Sequence, residues 1–158
     1  MRCVLIAVGH RMPAWIAAGF DEYARRMPRE SLLRLVEIKP EARGDAGPGA
    51  VRRLLEAEGR RIRAALPAQC LCIVLDEHGT QLTTQALAER MTGWRMAGRD
   101  VAFVVGGADG LDPQVKDDAD MRWSLSRLTL PHGLVRVLVA EQLYRAASIL
   151  QGHPYHRA

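Results

Sequence analysis

The chain has 158 residues, enough for one domain with one substantial core. Forty-eight per cent apolar and 25% charged residues are the proportions of an ordinary water-soluble globule, and no apolar run approaches the roughly 18 residues of a membrane span. A net charge of +4 admits a polyanionic partner without requiring one.

Apolar runs and helical stripes alternate along the chain. Cys3–Val8 is a β-rich run ended by Gly9. Pro13 opens a helix where its missing N–H costs nothing, and Ile16, Phe20, Tyr23, Ala24 and Met27 give that helix its buried stripe. Residues 32–38 are the second strand. Residues 40–50 have the only extended loop-like composition, with three glycines and two prolines. A second helix follows Pro48 with a stripe of Val51, Leu54, Leu55, Ile62 and Leu66, and stops at Pro67. Residues 71–75 are a third strand. Thr83 or Thr84 caps a third helix, which Gly98 ends. Val101–Val105 is the fourth strand, Asp112-Pro113 starts a short acidic helix, and residues 123–126 are the fifth strand. A long apolar helix over 134–150 closes at Gly152. Strands alternating with helices predict a parallel α/β sheet.

The opening MRCVLIAVGHRMP has neither a signal-peptide h-region of adequate length nor a small-residue cleavage site, so a cytoplasmic protein is expected. Three cysteines, an odd number, argue against a disulfide framework. Cys70 and Cys72 share a strand face with only Cys3 besides, which is a poor zinc set, so no metal is expected.

Two loops could hold a ligand. Gly106-Gly107-Ala108-Asp109-Gly110 follows a strand and precedes a helix, where free N–H groups and close backbone approach suit a cofactor. The sequence is neither G-x-G-x-x-G nor a P-loop, and no acid lies about 20 residues on for a ribose; a plain turn is the alternative. Leu125-Ser126-Arg127-Leu128-Thr129-Leu130-Pro131-His132-Gly133 is apolar yet bounded like a loop. It either packs round a planar heterocycle or extends a buried strand.

The last helix is apolar on nearly every side, through Leu134, Val135, Val137, Leu138, Val139, Leu143, Tyr144, Ile149 and Leu150, which points to a second subunit. Glu141 and Arg145 read as a solvated i,i+4 pair. Arg52, Arg53, Arg60, Arg61 and Arg63, interleaved with Glu56 and Glu58, read as a solvated face. His10 and His132 are turn histidines. The tail His153-Pro154-Tyr155-His156-Arg157 combines rings that stack on bases with a cation that clamps phosphate.

The segments VVGGADGL, WSLSRLTLPHGLVRVLVAEQLYRAASI and HPYHR, together with AVGHRMPAWIAAGFDEYARRMP, IVLDEHG and WRMAGRDVAFVVGG, resemble the SPOUT-class methyltransferases that modify N3 of pseudouridine in large-subunit (23S) ribosomal RNA. The resemblance runs nearly end to end and is weakest around residues 40–66. It implies a mostly parallel five- to six-stranded sheet with helices on both faces and a deep C-terminal trefoil knot. It further implies S-adenosylmethionine held by Leu75, Gly106, Leu125, Ser126, Arg127, Leu128, Thr129 and Leu130, a homodimer, and 23S rRNA within the assembled ribosome as acceptor. On that resemblance the tail helps form the target site, with His132, Tyr155 and His156 as candidate proton acceptors. Arg157 and Arg145 become candidates for binding phosphate or the developing uracil anion. The chain departs from the pattern at Ala108 and Asp109, where proline and glutamate are usual, at Arg127, usually a small residue, and at Gly133, often proline. A transfer-RNA methyltransferase and a non-catalytic ribosome-binding protein are the alternative functions.

Overall fold

A computed structural model of the chain describes residues 1–44 and 46–157. Among them the apolar runs become β1 (Cys3–Val8), β2 (Leu33–Ile38), β3 (Leu71–Gln81), β4 (Val101–Val105) and β5 (Met121–Ser124). These form one five-stranded sheet in the order β2-β1-β4-β3-β5, with every neighbouring pair parallel. The helices between them are α1 (Ala14–Ala24), α2 (Ala50–Ala65), α3 (Thr84–Met96), α4 (Pro113–Asp117) and α5 (His132–Leu150).

A wholly parallel sheet must be covered on both faces. Every residue of β1 and β4 is buried, which is why neither strand alternates apolar with polar. Their side chains still point to opposite faces in turn. Leu5, Phe103 and Val105 meet Phe20 of α1, Met91 of α3 and Leu143 of α5. Ile6, Val8 and Val104 meet Ile62 of α2 and Val115 of α4 on the other face. The expected layering of helices on both faces is therefore present. Phe103 is gripped edge-on by Trp94 and Trp123, each with ring centroids 6.1 Å away, an arrangement worth about 0.5–1.5 kcal/mol per pair beyond area burial.

Several boundaries differ from the sequence reading, chiefly in β3, β5 and α5. The strand expected over 71–75 continues to Gln81: residues 76–79 bow out, and Trp123 is in register with both Leu75 and Thr80. A Cβ on Gly79 would lie 2.6 Å from the Arg122 carbonyl, so only glycine lets the chain return this close. The fifth strand starts two residues early and ends at Ser124, whose hydroxyl donates to the Ser126 carbonyl at 2.9 Å and turns the chain. The last helix begins at His132 instead of 134, after an extended Pro131. In α3 the capping residue is Thr83, whose hydroxyl accepts from the Ala86 amide.

Arg136 ties α5 to the sheet. It is 1% exposed; its Nη2 donates to the Gly9 carbonyl at 2.9 Å and its Nη1 meets Glu37 at 2.8 Å. Gly9 has φ +120°, and a Cβ there would come within 3.1 Å of that guanidinium. Cys3 and Cys72 sit buried on opposite faces of the sheet. Burial pushes their thiols up, to about 12 and about 11, so both stay protonated and inert. Among the described residues no helix is long and apolar enough to cross a membrane, and no cluster of ligating side chains could hold a metal.

Candidate active site

The bow within β3 and the loops that follow β4 and β5, with the amino end of α5, line a cavity of about 550 Å³, within the range of small-molecule sites. It lies beyond the carboxyl ends of parallel strands, where open α/β sheets bind ligands. Leu75, Gly106, Leu125, Ser126, Leu128, Thr129 and Leu130 all line it, as does His132. Arg127, expected with them, is exposed and is not part of the lining.

Each wall has a local cause. The glycine loop folds on itself: the Gly110 amide donates to the Gly107 carbonyl at 3.1 Å, and Gly110 has φ +85°. A Cβ on Gly106 would lie 2.5 Å from the Gly110 carbonyl, so this position requires glycine for the turn itself. Asp109 pairs with Arg43 at 2.7 Å. The loop after β5 is pinned by hydroxyls. The Leu128 amide donates to Ser126 Oγ at 2.9 Å, and Thr129 Oγ1 donates to Glu77 Oε2 at 2.8 Å. The loop is therefore a pocket wall and not an extension of the strand.

The bow in β3 adds Asp76, Glu77 and His78 to the lining, and the helix after the glycine loop adds Lys116. Sequence reasoning missed all four, although the polar DEHG after an apolar strand was a visible signal. Lys116 meets Asp76 at 3.2 Å. Burial opposes ionisation of Asp76, but the His78 amide and the Lys116 ammonium outweigh it and hold the carboxyl below its ordinary range. The walls thus offer leucine and valine faces, glycine-loop backbone and three carboxylates, Asp76, Glu77 and Asp109. That combination accepts a flat, largely apolar ligand carrying positive charge.

The tail is elsewhere. Tyr155, His156 and Arg157 do not line the cavity. Tyr155 folds back on α5: its ring is 4.7 Å from that of Tyr144, and its hydroxyl donates to Glu141 Oε1 at 3.2 Å. The Arg145 guanidinium lies 4.5 Å from the Tyr155 ring centroid, and Arg26 lies 4.7 Å from that of Tyr144. Burial first, then hydrogen bonding to Tyr23 and the charge of Glu141, pushes the Tyr155 phenol up to about 12. Among the described residues His156 Nδ1 is buried without a partner, and the exposed Arg157 donates to the Pro154 carbonyl. The Glu141–Arg145 pair, expected to be solvated, is instead half-buried beneath the tail, because Tyr155 covers it. On α2 the solvated-face reading holds for Arg52 and Glu56, paired at 2.8 Å, but fails for Glu58. Glu58 is 6% exposed, and among the described residues its Oε2 has no partner; burial and the neighbouring Asp109 charge push the carboxyl up.

A parallel α/β sheet with a pocket at its strand-end loops is the architecture of a ligand-binding α/β protein. A family model described as a predicted SPOUT methyltransferase matches residues 1–156, and the chain belongs to that family. It is 60% identical, over the full length of both chains, to the ribosomal RNA large subunit methyltransferase H of Nitrosospira multiformis. It is 58% identical to the protein of the same description from Ralstonia pickettii, over 99% of each chain, and 56% identical to that from Burkholderia multivorans over the whole of both. A solved structure of a probable methylase family protein from Haemophilus influenzae superposes with a TM-score of 0.53 at 16% identity, covering 99% of this chain and 70% of that one, and shares the fold.

Proposed function

We propose that this methyltransferase moves the methyl group of S-adenosylmethionine to N3 of a pseudouridine in large-subunit ribosomal RNA, on the assembled ribosome and as a homodimer. The observation that carries the reading is the cavity between the glycine loop and the loop over residues 125–130. Leu75, Leu125, Leu128 and Leu130 give apolar faces for an adenine ring, loop backbone supplies its polar edge contacts, and Asp76, Glu77 and Asp109 favour a sulfonium. When bound, S-adenosylmethionine supplies a methyl group already activated for transfer. The chain's own work is then in-line placement and acceptance of the N3 proton. We assign that proton to His132, which lines the pocket at the start of α5. Tyr155 is a poor base near neutral pH, since its phenol is held up at about 12.

Trp15 and Leu128 are 61% and 72% exposed, and Leu134, Val137 and Leu138 of α5 are only half-buried. This apolar surface supports the homodimer. The tail lies against α5 around Glu141, nine residues or roughly 13 Å along the helix from His132. A tail that serves the target base therefore does so at the partner's pocket. A single domain over residues 1–158, the family's trefoil knot and a cytoplasmic location belong to the same reading. Labelled S-adenosylmethionine incubated with the pure chain and either whole ribosomes or free ribosomal RNA tests it, followed by mass mapping of the modified nucleotide. Label confined to a large-subunit pseudouridine, and stronger on ribosomes, is the expected result. Label on transfer RNA, or no binding of the cofactor in calorimetry, overturns it.

A further inference from the structure

Arg127 sits between two residues that line the cavity, Ser126 and Leu128, yet its own side chain is exposed. The backbone on both sides of it is fixed. Ser126 accepts from the Ser124 hydroxyl at its carbonyl and from the Leu128 amide at its own hydroxyl, both at 2.9 Å, and Thr129 is bonded to Glu77 at 2.8 Å. Among the described residues the guanidinium itself has no hydrogen-bond or ion-pair partner. A rigid pedestal thus presents a free cation at the rim of the pocket.

The electrostatics of the rim give that cation a task. The walls hold three carboxylates, Asp76, Glu77 and Asp109. The lysine of the lining is engaged, because Lys116 is paired with Asp76 at 3.2 Å, and Arg43 is spent on Asp109 at 2.7 Å. With Asp76 and Asp109 so paired, Glu77 is the wall carboxylate left without a lysine or arginine partner among the described residues, and its charge attracts a positively charged methyl donor while opposing a phosphodiester backbone at the same mouth. An unpaired guanidinium at the rim offsets that repulsion, and its fork geometry matches phosphate oxygens.

We infer that Arg127 is an acceptor-side contact, a guanidinium that binds a phosphate of the RNA and positions the target base over the pocket, and that it takes no part in holding the methyl donor. The inference rests on the ribosomal RNA reading above. A donor contact at this position would have to face the cavity.

The test compares R127A, R127K and the wild type, with R90A, an exposed arginine of α3, as control. Three quantities are measured: ribosome binding between 50 and 200 mM salt, S-adenosylmethionine affinity by calorimetry, and steady-state methylation. For R127A the slope of log affinity against log salt becomes shallower by about one. Its KM for ribosomes rises about threefold to tenfold at fixed salt, the loss expected for one phosphate contact, with kcat within about twofold. Donor affinity stays unchanged, R127K keeps most of the slope, and R90A matches the wild type. An unchanged salt slope, or a donor affinity weakened tenfold in R127A, overturns the inference while leaving the methyltransferase reading intact. A wild-type chain that methylates no ribosomal RNA overturns both.

Discussion

Replacing Arg136 by alanine is expected to remove about 3–5 kcal/mol of folding free energy. The Nη1–Glu37 contact at 2.8 Å looks like the strongest interaction, but Glu37 is 40% exposed and simply regains water when its partner is lost. That pair is worth about 1 kcal/mol or less. The Gly9 carbonyl, bonded at 2.9 Å, and the Val8 carbonyl, at 3.4 Å, belong to buried residues and have no such escape. A buried acceptor stripped of its donor costs about 1–3 kcal/mol, mostly at Gly9 because the longer bond is weak. The vacated volume adds a cavity cost of about 2 kcal/mol or more. Against these stands the relief of a buried charge whose Nε already lacks a partner. R136M fills the volume without the donors and should lose about half as much. Urea unfolding followed by tryptophan fluorescence measures all three proteins, and E37Q beside them measures the ion pair. R136A within about 1 kcal/mol of wild type, or E37Q as damaging as R136A, refutes the argument that the carbonyls dominate. His132 lies one turn earlier on α5, so the methylation rate should fall with R136M even below the unfolding transition.

Four further outcomes follow from the geometry. G79A forces a Cβ to within 2.6 Å of the Arg122 carbonyl and should cost about 1–3 kcal/mol together with donor affinity, whereas G93A, with nothing within 4 Å, should be neutral or gain up to about 1 kcal/mol; equal denaturation midpoints would contradict this. E58Q should be more stable than wild type at pH 7 and equal to it near pH 4. A carboxyl raised in the folded state contributes its stability below its unfolded value and loses it as pH rises, so a less stable E58Q at pH 7 reverses the sign. For Asp76 the shift is opposite, so its stabilisation is present above the unfolded value and lost as pH falls below about 4; D76N should flatten the acid limb of a stability-against-pH curve. Deleting residues 153–158 should abolish methylation in a turnover assay while calorimetry finds donor affinity within about twofold, and unchanged turnover would dismiss the tail.

The elements that depend on neighbours in sequence were legible. Apolar runs such as Cys3–Val8, the Pro13 and Asp112-Pro113 helix starts and the glycine turn after β4 each obey short-range rules, and all appear where expected. The two pocket loops were legible for the same reason: each is a loop that follows an apolar strand. What stayed hidden depends on distant partners. Nothing around Glu141 and Arg145 shows that a tyrosine ten residues beyond Arg145 folds back over them. Nothing around Glu58 shows that its carboxyl faces the glycine loop of another segment, 3.8 Å from where a Gly107 Cβ would stand. The bow at residues 76–79 depends on β5 passing within contact of Gly79, a pairing formed only in the folded sheet.

The placement of the thiols has a practical consequence. Cys3 and Cys72 are sealed in the sheet, while Cys70 is half-exposed just before β3. Burial and the Asp120 charge raise the Cys70 thiol too, so a maleimide dye at mildly alkaline pH should attach more slowly than at a free cysteine but chiefly at this one site, at the amino ends of the strands and across the sheet from the pocket. Such a fluorophore would report binding of a large partner at the pocket from a distance, without standing in the pocket itself.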